Sequence, residues 1–355
     1  MEGDGIGPEI INSSLDVINL VKKKLNLKIK LIHLKIGLAS LKSQGTTFPD
    51  NCLNVCRNSD GIILGPVDHN NYPEEINGGF NPSSLLRTKL NLYSNIRPAR
   101  KYPNIKSLVD NIDLIIVREN VEGFYSDRNM FIGNGEFAPE PGIGISLRKI
   151  TDKGSKRIAT RAFEIASNFK KNKPKINVHA IHKANVMKLT DGIFLKACRE
   201  TAKKYPEINY NEMLVDAATA HLLKNPEQFD VIVTTNMFGD ILSDLASELS
   251  GSLGLAGSIN VGDDVPMAQA QHGSAPDIMG KGIANPISMI LSVGMMFNWI
   301  GLRKKNDLYL KASKYIKKAV EHHFEEFQYL TPDLDGNATT KDVTKSILEK
   351  IKLLN

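Results

Sequence analysis

The chain has 355 residues, 41% of them hydrophobic, enough for a large core and for two domains; it has no run of about 18 uncharged apolar residues to span a membrane and no basic start with an apolar stretch to direct secretion. Three cysteines, Cys52, Cys56 and Cys198, are too few for a disulfide framework and lack the paired spacing of a structural zinc site, so they read as reduced thiols of a cytoplasmic protein. The net charge of +6 comes from scattered lysines without interleaved aromatics, a pattern unlike a nucleic-acid platform, and it suits either attraction of a polyanionic substrate or a lysine-rich surface.

In chain order, Gly3, Asp4, Gly5, Ile6, Gly7, Pro8 has the wrong spacing for a dinucleotide fingerprint and no strand before it; Pro8 suits the first turn of a helix, so the stretch reads as a tight turn into one. Apolar runs at Ile29–Leu34, Gly61–Leu64, Leu114–Val117, Ile176–Ile181 and Val231–Thr235 are predicted strands. Ile158–Phe169 and Asp191–Lys204 have helical periodicity. This alternation predicts an α/β fold around a largely parallel sheet. The Gly- and Pro-rich stretch Gly133–Gly144 reads as a loop or an arm reaching to another subunit.

Arg87, Arg97 and Arg118 lie at element edges. Guanidinium groups bind carboxylates bidentately, and three of them would suit a di- or triacid, although each alone suits a structural ion pair equally. Tyr125 offers a phenolic proton, as a packing tyrosine also would. Lys183 follows a strand end, where burial or nearby cations can make a base of it; His182 beside it reads as packing or hydrogen bonding. Asp240 and Asp244 sit i, i+4 on one helical face just after a strand. They form either a solvated acidic face or a site for a hard divalent ion. His272, Gly273, Ser274, Ala275, Pro276, Asp277, Ile278 make a compact loop of small residues that a ligand could approach closely. The acidic Asp277 would accept from ribose hydroxyls and repel a 2′-phosphate.

Together these residues resemble one family, the isocitrate and isopropylmalate dehydrogenases, over nearly the whole chain. The resemblance rests on GDGIGPEI at the start, NLYSNIRPAR around Arg97, VRENVEGFYSD around Arg118, HKANVMKLTDG around Lys183, TTNMFGDILSD around Asp240, and HGSAPDI followed by Ile283, Ala284, Asn285, Pro286. It implies a fold distinct from the ordinary dinucleotide-binding one, with a large domain from both chain ends (1–92 with 251–355) and a smaller central domain (93–250). It also implies a homodimer or higher oligomer whose sites are shared between subunits, the Gly133–Gly144 stretch being the arm. Carried over by motif, Arg87, Arg97 and Arg118 hold substrate carboxylates. Asp240 and Asp244 of one subunit and Asp216 of another hold Mg²⁺ or Mn²⁺, which acts as a Lewis acid on the 2-hydroxyl. Lys183 of the neighbouring subunit takes the hydroxyl proton, hydride passes to NAD, CO₂ leaves, and Tyr125 reprotonates the enolate. His272 to Ile278 and Asn285 bind the adenosine half of NAD. A non-catalytic regulatory subunit is the rival reading, but such subunits lack parts of this set, and here all of it is present.

Four departures from the family pattern stand out. Gln269 replaces a usual glutamate. Asp335 replaces a usual glycine. Ser83 and Ser84 occupy the substrate-selecting turn, where isopropylmalate enzymes resemble an apolar pair. An apolar strand runs into GDGIGPEI in the family, whereas only Met1 and Glu2 precede it here, which leads to the expectation of a start further upstream. Two hydroxyls in a pocket for an isopropyl group would lose water without partners, at roughly 1–3 kcal/mol each. The serines therefore favour isocitrate or homoisocitrate, with 3-isopropylmalate or another alkylmalate as the alternative.

Overall fold

The computed structural model describes residues 1–125, 127–130, 132–168 and 174–354. Ser126 of the VRENVEGFYSD stretch and Phe169, the expected end of one helix, lie outside them. The chain forms two compact units: residues 1–90 with 102–107 and 251–355, and residues 91–101 with 108–250. Relative to the division implied by the resemblance, the short stretch 102–107 goes with the terminal unit. Among its contacts there, the Tyr102 ring lies 5.0 Å from that of Phe324.

The terminal unit contains α1 (Gly7–Leu25), α2 (Gly37–Gln44), α3 (Asp50–Arg57), β1 (Ile62–Leu64), α4 (Pro82–Lys89), β9 (Ile259–Val261), β10 (Pro266–Gln269), α9 (Ile287–Lys304), α10 (Asp307–Glu326) and α11 (Thr340–Leu353). β1 pairs in parallel with β10, and β10 antiparallel with β9. Helices α1, α10 and α11 bury one apolar stripe each, including Ile10 and Val17, Ile316 and Val320, and Ile347 and Ile351, the pattern of helices packed on a core along one face, whereas α9 has no exposed residue from Ile287 to Phe297 and is enclosed on all sides. The opening glycines make a hub rather than a phosphate loop. Gly5 has φ +57°, and a Cβ there would lie 1.9 Å from the Ser274 carbonyl oxygen, which instead accepts from Ile6 N at 2.9 Å. The buried Asp4 carboxylate accepts from the backbone N–H groups of Leu38 and Asp68 at 2.7 and 3.0 Å. The GDGIGP turn thus anchors the HGSAPDI loop.

The predicted strand Ile29–Leu34 does not form: residues 27–36 have no regular structure. A strand needs a ladder partner, and this segment instead lines a cavity of about 380 Å³, together with Met1, Ile62 and Ile63. Met1 itself lies along β1, its carbonyl accepting from Gly65 N at 3.0 Å.

The central unit contains β2 (Ser94–Arg100), β3 (Asp113–Glu119), β4 (Glu136–Glu140), β5 (Ile143–Ser146), α5 (Asp152–Asn168), β6 (Asn177–His182), α6 (Thr190–Ala202), β7 (Asn209–Leu214), α7 (Val215–Lys224), β8 (Val231–Thr234) and α8 (Asn236–Ser250). Its strand order is β2–β3–β8–β6–β7; β2 runs antiparallel to β3 and all the other pairs are parallel. Strand alternation divides the core. Leu114, Ile116 and Ile232 pack with Leu222 of α7 and Leu242 of α8, whereas Val117, Val231 and Val233 pack with Phe163 of α5 and Phe194 of α6. The stretch Gly133–Gly144 is not a loop: β4 and β5 form an antiparallel hairpin with every strand residue exposed. Because β3, β8, β6 and β7 are parallel, their carboxyl ends share one edge, where α/β sheets bind ligands. Arg118, the start of α8, Lys183 and Asp216 all lie at those ends.

Candidate active site

In the central unit, Arg97 and Arg118 are almost fully buried on neighbouring strands, and both turn onto α8. Arg97 Nη1 lies 3.1 Å from Asp240 Oδ1 and 3.2 Å from Asp244 Oδ1, and donates to Ser243 Oγ at 2.7 Å. Arg118 Nη1 pairs with the same Asp240 oxygen. The i, i+4 carboxylates therefore converge on one positive group, as their shared helical face requires. Tyr125 completes the cluster: its hydroxyl donates to Asp240 Oδ2 at 2.6 Å and accepts from Arg118 Nη2 at 2.8 Å. Burial, together with Asp240, pushes the phenol pKa up against the lowering influence of Arg118, so Tyr125 remains a protonated donor. Burial and the charge of Arg118 bring Arg97 down to about 10, which leaves it cationic at neutral pH.

Asn236, fully buried at the start of α8, was not singled out from the sequence although it lies within the TTNMFGDILSD stretch. Its carbonyl oxygen accepts from Arg118 Nε and Nη2 at 3.0 and 2.7 Å, and its amide donates to the Glu122 carbonyl at 2.9 Å. A close approach fixes the helix against β3: a Cβ on Gly239 would lie 2.6 Å from Arg118 Cγ.

Lys183 and Asp216 pair with each other, Nζ to Oδ1, at the ends of β6 and β7, and this bond holds the Asp216 carboxyl below its usual range. Asp191, also missed, orients the segment. Fully buried, it accepts from the Lys183 backbone N–H at 2.6 Å and from Arg148 Nη1 at 2.5 Å. His182 is structural, as the sequence suggests: its Nδ1 accepts from Ala184 N at 3.0 Å, and burial lowers its pKa. Among the described residues no group of three His, Cys, Asp or Glu side chains converges as metal ligands, so Asp216 does not join Asp240 and Asp244 within one chain.

In the terminal unit, α4 presents Ser83, Ser84 and Arg87. Asn81 caps the helix, accepting from Ser84 N at 3.1 Å. Ser83 Oγ and Arg87 Nη2 both donate to Gln269 Oε1, at 3.2 and 3.0 Å. The premise that Ser83 lacks a protein partner is thereby corrected. In the HGSAPDI loop, Ala275 adopts φ 40°, and Pro276–Ile278 form a single 3-10 turn with Asp277 exposed. His272 is half-buried, and burial lowers its pKa, which keeps it neutral. Asn285 already has structural work: its amide donates to Asp333 Oδ2 at 3.1 Å, and its oxygen accepts from Ile287 N at 3.0 Å at the start of α9.

The isocitrate/isopropylmalate dehydrogenase family model matches residues 1–350. The chain is 38% identical over 351 residues to a 3-isopropylmalate dehydrogenase of Sulfurisphaera tokodaii, covering 99% of this chain and 98% of that protein. It is 42% identical over 364 residues to a homoisocitrate dehydrogenase of Methanocaldococcus jannaschii, covering 99% and 96%. The crystal structure of isocitrate dehydrogenase from Methylococcus capsulatus superposes with a TM-score of 0.86 at 37% identity, covering 99% of this chain and 98% of that one. This chain belongs to the isocitrate/isopropylmalate dehydrogenase family and is a decarboxylating dehydrogenase.

Proposed function

We propose that this chain oxidises and decarboxylates a 2-hydroxy di- or tricarboxylic acid, isocitrate or homoisocitrate, with NAD as acceptor and Mg²⁺ or Mn²⁺ as helper. The observation that carries this reading is the Arg97–Arg118–Tyr125–Asp240–Asp244 cluster. Two buried guanidiniums are anion holders, and Tyr125 is kept protonated beside them. The two aspartates already turn toward one positive group, with Arg97 Nη1 at 3.1 and 3.2 Å, so their donor chemistry fits a hard divalent cation. Asp240, Asp244 and Asp216 of a second copy would hold it. When bound, the metal supplies Lewis-acid charge at the hydroxyl and NAD accepts the hydride. Arg87, Arg97 and Arg118 hold the substrate carboxylates, and Lys183, fixed by Asp191 through its backbone, would take the hydroxyl proton in the site of the neighbouring copy as a neutral amine, once Asp216 has left it for the metal and the ammonium has released a proton to solvent. Tyr125 returns a proton through its hydroxyl to the carbon that CO₂ leaves.

NAD rather than NADP is favoured because the exposed Asp277 would repel a 2′-phosphate; His272, Gly273, Ser274, Ala275, Pro276, Ile278 and Asn285 surround that contact in sequence. A homodimer is favoured by the β4–β5 hairpin, which exposes Phe137, Ile143 and Ile145 and is marginal as an isolated two-stranded ribbon. Three buried free thiols support a cytoplasmic location.

A specific observation favours the second reading, 3-isopropylmalate or another alkylmalate. The Ser83 hydroxyl donates its single proton to Gln269 and so does not require a carboxylate beside it. The deciding test is kcat/KM for isocitrate, homoisocitrate and 3-isopropylmalate side by side, with NAD and Mg²⁺. A preference of tenfold or more for a tricarboxylate supports the proposal, whereas the same preference for 3-isopropylmalate replaces its substrate. Full complements of ligands with no NADH from any acid would favour a non-catalytic subunit.

A further inference from the structure

Gln269, the last residue of β10, is 8% exposed, and its side-chain oxygen gathers three donors. Ser83 Oγ lies at 3.2 Å, Arg87 Nη2 at 3.0 Å and, more distantly, Asn260 Nδ2 of β9 at 3.4 Å. Ser83 and Arg87 are i, i+4 on α4 and share a face, so this one oxygen braces the whole substrate-facing turn. The backbone that carries the carboxamide is fixed by the sheet and by Gln269 N, which donates to the Ser258 carbonyl at 3.2 Å.

The chemistry of the donors removes any ambiguity about which end of the amide faces them. A guanidinium only donates, so the atom beside Arg87 must be the oxygen. A serine hydroxyl has one proton; spent on that oxygen, it leaves Ser83 with lone pairs alone for its other neighbours. We infer that Gln269 is a positioning residue that sets specificity at this turn: its neutral oxygen aims Arg87 without adding a negative charge beside it, and it assigns Ser83 the role of acceptor. Anion recognition on α4 then falls to Arg87. The glutamate usual in the family would keep the same acceptor geometry but form a charge-assisted pair with Arg87, so that the arginine is shared between that carboxylate and the acid, whereas Gln269 leaves its charge to the acid alone.

The inference rests on the dehydrogenase reading, and direct binding separates the two. Isocitrate, homoisocitrate and 3-isopropylmalate are titrated calorimetrically, with Mg²⁺, into full-length wild type, Q269E and Q269M. Thermal unfolding of each protein is recorded, and kcat and KM are measured for the acid that wild type turns over. Q269E is expected to weaken binding of the acid at least tenfold and to raise KM in step, with kcat within about threefold. Q269M, which removes the oxygen but adds no charge, weakens binding less than Q269E. A merely structural role reverses that order, because glutamate keeps the acceptor and methionine loses it. Q269E binding within twofold of wild type, or Q269M weaker than Q269E, overturns the inference while leaving the dehydrogenase reading standing. A wild type that binds none of the acids overturns both. Should Q269E fail to unfold cooperatively, Q269M against wild type still decides: a tenfold loss in Q269M shows that the oxygen, rather than its neutrality, is what matters, and this too overturns the inference.

Discussion

Asp240 concentrates the chemistry of the central unit in one carboxylate, which meets Arg97, Arg118 and Tyr125 at once. Replacing it by asparagine preserves volume but removes the negative charge facing two guanidiniums whose side chains are 6% and 2% exposed. Two effects are expected of Asp240→Asn. Turnover falls by about 100-fold or more, since both the proposed metal ligand and the acceptor of the Tyr125 proton are altered. Stability falls by about 1 kcal/mol, less than for a fully buried pair, because Asp240 is itself 37% exposed and Arg97 keeps Asp244 as a partner. Steady-state turnover and a urea midpoint read these separately; unchanged turnover with lowered stability would assign Asp240 a purely structural role. Tyr125 differs in that its hydroxyl can be removed without leaving a charge behind. Tyr125→Phe is expected to lower kcat by about 10²–10⁴-fold with little loss of substrate affinity, and a kcat within twofold of wild type would remove it from proton transfer.

At the scale of elements, helix ends and helix contacts carry the clearest predictions. Phe327 closes α10 in the left-handed region, φ 51° and ψ 35°, where a Cβ meets the following carbonyl. The residue is 54% exposed, so about half of its packing surface is already in water and truncation removes only the remainder. Phe327→Gly is expected to raise stability by about 1 kcal/mol, seen as a higher melting temperature; a lower one would show that the ring packs more than its exposure suggests. Asp335 is a second such position, φ 61°, and this accounts for the glycine that the family pattern carries there. Between α10 and α11, His323 is buried, with Nδ1 2.9 Å from Ser346 Oγ. Burial, with Lys350 adding to it, lowers its pKa from 6.5 to about 4. Below pH 6.5 the unfolded chain binds a proton that the folded chain refuses, so stability is lost as pH falls from 6.5 toward 4, by up to about 3 kcal/mol. His323→Gln should lack this component, and a pH series of urea midpoints for the two proteins measures it. Parallel slopes would rule the histidine out.

At the scale of the molecule, the proposed reaction depends on what binds and on how copies associate. Excess chelator is expected to abolish NADH production and added Mg²⁺ or Mn²⁺ to restore it, because Asp240 and Asp244 set two like charges on one helical face; full activity in chelator would contradict the metal. Replacing both Phe137 and Ile145 of the exposed hairpin by aspartate should shift the protein to a smaller species on size-exclusion chromatography. Activity should fall with it if Lys183 and Asp216 serve a neighbouring site. A monomeric variant with full activity would show that one chain suffices.

Much of this was legible in the sequence because it is local. The carboxylate pair Asp240 and Asp244 shares a helical face by spacing alone, Lys183 follows an apolar run that becomes a strand, and the α/β alternation reads from runs whose side chains are buried on both faces, such as Val231–Thr234. The elements missed were those whose local signal is weak: β2 has Pro98 inside it, β7 is largely polar and lies at the end of its strand order, and β9 and β10 span only three and four residues. Ile29–Leu34 failed in the opposite way, since apolar alternation can propose a strand but only a neighbouring strand can supply its hydrogen bonds. The roles of Gln269, Asn236 and Asp191 could be decided only in three dimensions. Each is a hydrogen-bonding side chain whose meaning lies in the partner it meets, and those partners are 182, 118 and 8 residues away in the chain. Propensity and periodicity act over a turn or a strand, whereas a buried polar group must find its partner wherever the fold brings one.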